Sequence, residues 1–275
     1  MYSLYLSLTI ATLTIGVPML FGLGNAKWSV LPGIILGVLS FVWVNRRVAK
    51  RVESVTQAAD KEMANLQQVA QRGPGAQGAM EKHFDRAIEI LKRAFIFEKW
   101  QIGVTTMLNA RIGMLLFMRW MLLKKGGLAE AIPYLEKSRV KGAKGKLLGA
   151  LWPAWAMLAV AYYKGKKDLD RAIGVLEDTV VVSKKEGLLW NLYAWILWKE
   201  KRKDAAIDVL ARALKILPDD KRLAENLKQL QNGKKMRMKD YGEQWYQFGL
   251  EQPKMAGMKP QMSHPRARAG GMRRR

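Results

Sequence analysis

The sequence predicts an all-α protein: an N-terminal pair of apolar helices, then a stack of antiparallel helix pairs. Two long uncharged runs predict the first part. Four recurrences of one short pattern, Ala-Ile followed three residues later by Leu, predict the second. Between them, residues 46–71 are polar and free of Gly and Pro, which predicts a helix joining the two parts.

Residues 2–26 carry no charged side chain. The run Tyr2 to Leu23 is long enough for a hydrocarbon core of about 30 Å at roughly 1.5 Å per residue. Lys27 interrupts it, and Trp28 to Asn45 is uncharged again. The connecting stretch Gly22 to Lys27 is rich in turn residues. The expectation is a two-helix transmembrane anchor over residues 1–45, with Trp28 and Trp43 at the ends of the second span. Arg46, Arg47, Lys50 and Arg51 crowd its exit, so the positive-inside rule puts the C-terminal domain in the cytoplasm. That makes the chain an integral membrane protein, assigned to a bacterial inner membrane. Two other readings of the run stand beside this one. One is a cleaved signal peptide; the other is a single span with the second run lying at the surface.

Composition narrows the chemistry. The 275 residues carry 47 basic and 23 acidic side chains, a net charge of +24. Such a balance favours anionic lipid, nucleic acid or acidic proteins as partners. With no cysteine and two histidines, His83 and His264, disulfides, thiolate catalysis and thiolate metal sites are excluded, and the commonest metal ligand is scarce. The sequence has no P-loop, no dinucleotide glycine motif and no nucleophile elbow. Asp219-Asp220 and Asp168/Asp170 read as helix starts. The chain is therefore expected to be no enzyme and to need no cofactor.

Residues 46–78 form a helix and linker. Val48, Val52, Val55, Ala59, Leu66 and Val69 follow an alternating four-three spacing, with Glu62 as the misfit. This seam has two readings: a parallel coiled-coil stalk that makes a homodimer through residues 46–71, or an amphipathic helix packed on its own domain or on headgroups. Arg72-Gly73-Pro74-Gly75 ends the helix.

The repeated pattern occurs at Asp85–Leu91, Ala129–Leu135, Asp170–Leu176 and Asp204–Leu210, with its alanines 44, 41 and 34 residues apart. A small residue lets two helices approach closely, and the Leu one turn on fills the space between them. A single pair cannot bury its apolar face, so pairs stack. In the last unit, Gly187 to Asp220, Trp190, Ala194 and Leu197 precede Ala206, Leu210, Ala213 and Pro218. This unit resembles the tetratricopeptide-repeat family, with those residues at its first-helix, second-helix and terminal-proline positions. Tyr163, Ala172 and Leu176 carry the resemblance in the third unit, and Gly126, Ala131 and Leu135 in the second. The first is read as half a unit, because Arg72 to Gly78 breaks the place for its leading helix. The resemblance implies an α-solenoid over residues 79–232, closed by a polar capping helix over Asp219 to Asn232. Leu147 to Tyr163 and Trp100 to Leu123 fall in first-helix slots, although both are apolar enough to be read as further membrane contacts.

The family lines a concave groove with its first helices. Carried over, the groove slots are Leu116, Trp120 and Lys124 in the second unit, Met157, Ala161 and Lys164 in the third, and Asn191, Trp195, Trp198 and Lys199 in the fourth. The resemblance implies an apolar floor with a lysine rim, suited to a peptide with aromatic or aliphatic anchors and acidic flanks. The competing reading makes the aromatics packing and the lysines solvated. The tail, residues 233–275, carries 11 basic and 3 acidic side chains from Lys234 on and is expected to be disordered. Within it, Asp240 to Leu250, with Trp245, Tyr246 and Phe248, either docks back on the repeats or serves as a linear motif. Arg46, Arg47, Lys50 and Arg51, with Arg266, Arg268, Arg273, Arg274 and Arg275, are the candidate contacts to anionic lipid or nucleic acid. The functional expectation is a membrane-anchored scaffold that binds a protein or peptide partner. The alternative is a membrane-tethered nucleic-acid- or ribosome-binding factor.

Overall fold

The helix-compatible run from Ala26 to Ala70 forms one continuous helix, α2, with Pro32 inside it. The computed structural model describes residues 2–20, 26–70, 74–100, 103–140 and 151–251. All regular structure among these residues is helical. The helix α1, Tyr2–Leu20, lies antiparallel to the first half of α2. Gly33 and Gly37 permit the approach: a Cβ on Gly37 would sit 2.8 Å from Cβ of Ala11 and 3.3 Å from the Ser7 carbonyl oxygen. The start of α1 is tied to the rest of the chain. The Tyr2 amide donates to the Lys99 carbonyl at 2.7 Å, and the Tyr2 ring meets the Trp100 ring edge-on at 5.5 Å.

The expectation of a transmembrane anchor, and with it the integral-membrane and inner-membrane assignment, is corrected here. No helix among the described residues is long and apolar enough to cross a membrane. Hydroxyls punctuate α1: Ser7, Thr9, Thr12 and Thr14 each donate to a carbonyl three or four residues back. The second uncharged run is no separate span but the opening of α2, which continues into Arg46, Arg47, Lys50 and Arg51. The pair leaves Tyr5, Leu8, Leu13, Leu39 and Trp43 exposed. The expected turn at residues 22–25 and the break at 72–73 lie outside the described residues.

The seam on the second half of α2 faces its own chain. Val48, Val52, Ala59, Leu66 and Val69 are buried, and α2 packs along α3, Gln77–Arg93. Glu62, the misfit of the seam, pairs with Nδ1 of His83 on α3 at 2.7 Å. The second half of α2 therefore supplies the leading helix that the first unit lacked in the sequence.

Three further pairs follow: α4 (Val104–Leu123) with α5 (Leu128–Lys137), α6 (Trp152–Ala161) with α7 (Leu169–Val182), and α8 (Gly187–Lys199) with α9 (Lys203–Ile216). The cap is α10, Lys221–Gln231. The recurring alanines, Ala87, Ala131, Ala172 and Ala206, are fully buried, as are Leu135, Leu176 and Leu210. Close approach shows at Gly113, where a Cβ would fall 2.6 Å from the Leu135 side chain. Two carboxylates read as helix starts cap helices. Asp168 accepts from the Arg171 amide at 3.0 Å, and Asp220 from the amides of Arg222 and Leu223 at 2.9 and 3.1 Å.

The turn inside each of these three pairs uses a lysine in the left-handed region: Lys124, Lys167 and Lys201, with φ of 54°, 52° and 61°. This conformation closes the last carbonyls of the first helix, and a cation there suits the negative end of the helix dipole. The arginines on α4 have partners across pairs. Arg111 bonds Asp60 on α2 at 2.9 Å, and Arg119 bonds Asp85 on α3 at 2.8 Å and Glu130 on α5 at 2.5 Å. α4 and α6 thus sit in first-helix slots of the stack, and residues 147–150 of the second apolar run lie outside the described residues.

Candidate functional site

A first helix at the inner face of such a stack has one side against its pair and its neighbours and one side open. α8 departs from this, since every residue from Leu188 to Leu197 is buried. Its open side is covered by the chain itself. After α10 the chain turns at Gly233 (φ 70°) and comes back across α8 as a 3₁₀ turn, Met238–Tyr241, and a one-turn helix, α11, Glu243–Tyr246. Gly242 joins the two at φ 56°, ψ −134°, a backbone region open essentially to glycine alone.

Three aromatic side chains anchor this segment. Trp245 and Phe248 have no exposed surface and Tyr241 is buried. The Trp245 ring meets Trp195 of α8 edge-on at 5.3 Å and Phe248 at 6.2 Å, the arrangement that ring quadrupoles favour. The Trp245 indole N–H donates to Glu251 at 3.1 Å. At the far end, Gly249 lies against α4: a Cβ there would sit 3.1 Å from Cγ of Met121 and 3.6 Å from the Trp120 ring.

A buried polar network fixes the near end. Nδ2 of Asn191 donates to the Tyr241 hydroxyl at 2.6 Å and to the Gly187 carbonyl at 3.1 Å. Nδ2 of Asn226, on α10, donates to Oδ1 of Asn191 at 2.8 Å. Oδ1 of Asn226 accepts the Arg237 amide at 2.6 Å. Both carboxamides therefore have partners on donor and acceptor sides, the condition for burying them without penalty. Burial, reinforced by the Asp220 carboxylate, pushes the Tyr241 phenol well above its usual range, while the Arg222 guanidinium over its ring at 4.7 Å and the Asn191 bond oppose this.

The rim lysines lie on aromatic rings. Nζ of Lys124 is 4.9 Å from the Trp120 ring centroid, Lys199 is 5.0 Å from both Trp195 and Trp198, and Lys164 is 5.8 Å from Tyr163. Of the sequence-derived groove positions, Asn191 and Trp195 touch the returning segment and Trp120 borders its end. Met157 and Ala161 are buried within α6. Leu116 lies elsewhere: it lines a polar cleft with Asp85, Arg119 and Glu130, on the side of α4 facing α3 and α5.

One stripe of α4 carries Met107, Arg111, Met114, Met118 and Met121. The first four of these, with Met63 on α2 and Pro153, line an open apolar cleft of about 450 Å³. Among the described residues the inner face thus has two halves, one closed by residues 236–251 and one open and rich in methionine. Arg46, Arg47, Lys50 and Arg51 are exposed on α2, with Arg47 over the Trp43 ring at 5.2 Å. Arg266, Arg268, Arg273, Arg274 and Arg275 lie outside the described residues. Among the described residues no group of His, Cys, Asp or Glu is placed to hold a metal ion.

The family model of the tetratricopeptide repeat matches residues 188–220, the α8–α9 pair and the turn after it. No curated protein and no solved structure matches the chain. The matched repeat supports a helical protein-interaction scaffold in general terms, of a kind that is typically not catalytic.

Proposed function

We propose that the chain is a protein-interaction scaffold that receives a polypeptide partner on the inner face of its first helices. One observation carries the reading: the α8 face already holds a peptide segment, gripped by Trp195 and by the Asn191–Asn226 pair. The anchors Tyr241, Trp245 and Phe248 stand four and three residues apart, on a 3₁₀ turn, a one-turn helix and the turn after it, with Gly242 bending the path between the first two. The open half beside it, lined by Met63, Met107, Met114 and Met118, supplies an adaptable apolar surface for the partner.

The experiment is photo-crosslinking of the full chain in the cells that make it. A benzoylphenylalanine replaces Met118 on the inner face or, as the control, Asp208 on the exposed side of α9. A protein adduct from position 118 and none from position 208 is the expected result. An adduct from position 208 alone, or from neither, contradicts the reading.

A further inference from the structure

We infer that residues 236–251 are a built-in ligand of the α8 half of the groove. The segment this half accepts from another chain is built the same way: three aromatic anchors spaced four and three residues apart on two short turns with a glycine between them, beside carboxylates. This deepens the scaffold reading and rests on it for the existence of a partner.

The segment has the character of a bound peptide. Its backbone hydrogen bonds close locally: Gly242 to Lys239, Trp245 to Gly242, Gln247 to Glu243, Phe248 to Trp245 and Gly249 to Tyr246. The one backbone group it shares with a repeat side chain is the Arg237 amide, held by Asn226. Side chains do the rest of the docking. A segment that satisfies its own backbone can leave without orphaning that backbone in the groove.

The connection suits release. Residues 231–235 are exposed, and the Gly233 turn ends α10 with its own bonds, Gly233 to Leu230 at 3.0 Å and Lys234 to Gln229 at 2.8 Å. The capping helix is therefore complete before the segment begins. The segment's chemistry also sets it apart from its surroundings. It holds Asp240, Glu243 and Glu251, the only carboxylates between Lys234 and Arg275, in a chain of net charge +24. Their charge is opposite to that of the rim lysines, Lys124, Lys164 and Lys199.

A partner segment from another chain competes with a tethered one, whose effective concentration is about millimolar for a short connection. The tether keeps the aromatic wall of α8 covered until a segment of matching design arrives. It also sets the affinity that such a segment must exceed.

The test uses the full chain with a specific protease site inserted between Gly233 and Lys234. After cleavage the C-terminal fragment stays docked. A fluorescein-labelled peptide of residues 234–251 exchanges into the groove, with far-UV circular dichroism unchanged. It binds the cut protein at least ~10-fold more tightly than the uncut one, as removal of a tethered competitor requires. An unlabelled peptide of the same sequence displaces it, whereas one with Tyr241→Ala, Trp245→Ala and Phe248→Ala does not. Failure to exchange, loss of helix when the fragment is competed away, or equal displacement by both peptides overturns the inference. If exchange occurs but crosslinking from position 118 finds no partner, the groove chemistry stands and the scaffold reading falls. If crosslinking succeeds without exchange, this inference falls alone.

Discussion

The two halves of the inner face occupy equivalent places in the stack and differ in what fills them. Around α8 the wall is aromatic and amide: Trp195 and Asn191, closed by Tyr241, Trp245 and Phe248. Around α4 it is thioether: Met63, Met107, Met114 and Met118 border a cleft that stays open. Rigid rings and a hydrogen-bonded carboxamide pair select one shape, because a mismatched occupant leaves buried polar atoms unpaired. Unbranched thioether chains adapt to several shapes. On the proposed reading, one repeat architecture thus presents a selective half and a permissive half.

The largest expected effect comes from emptying the selective half. Trp245→Ala removes a fully buried indole and should cost about 3–5 kcal/mol where the segment is docked. Hydrogen exchange should localise that loss, with amides of α8 and residues 236–251 losing protection while α4 and α5 keep theirs. A loss spread evenly over the stack would erase the distinction between the halves. Next comes Asn191→Leu, which strips Tyr241 and Asn226 of a partner; urea titration should show a loss of about 1–3 kcal/mol. In the permissive half, Met118→Leu conserves volume at a half-buried site and should shift stability by less than about 1.5 kcal/mol. A cost equal to that of Trp245→Ala would show the cleft to be core.

The smallest effects are titrations. The Tyr241 phenol has its pKa raised in the folded chain by burial. Its stabilisation is therefore complete below tyrosine's ordinary value of about 10 and is lost as pH rises beyond it toward the folded value. Exchange protection of residues 236–251 should fall in that alkaline window before that of α4, and Tyr241→Phe should remove the step. Glu177 behaves in the opposite sense. Its hydrogen bonds to Arg212, at 2.7 and 2.9 Å, hold its pKa below the usual carboxylate range against a partial desolvation. The pair contributes above the unfolded carboxylate value and is lost as pH falls through the folded one. Because both side chains are more than a third exposed, solvent screening keeps the effect small. Glu177→Gln should make the acid limb of thermal stability slightly shallower.

Legibility in the sequence followed backbone chemistry more closely than charge. The α8–α9 pair was readable because Ala206, Leu210 and Ala213 repeat on one face and Pro218 stops the helix. The first pair was half hidden. A change from apolar to basic at Arg46 suggests a boundary, but charge does not break a helix, and α2 runs through it. The membrane-spanning expectation rested on the same division by charge. The face that Leu116 presents is hidden for another reason. α4 is apolar nearly all round, so its periodicity cannot say which face meets α5 and which lines the groove. The aromatic run Trp245, Tyr246 and Phe248 was visible in the sequence, and its landing site was not. Its partners Asn191 and Asn226 lie on different helices, and nothing local marks them as neighbours.

The occupancy of the α8 face is best tested by nuclear Overhauser spectroscopy on the full chain with selectively labelled tryptophan and asparagine. Ring protons of Trp245 should show cross-peaks to Trp195, whose centroid is 5.3 Å away, and the Asn191 carboxamide should show them to the Tyr241 ring. A Trp245 indole at random-coil shift, with no cross-peak to α8, would contradict the account.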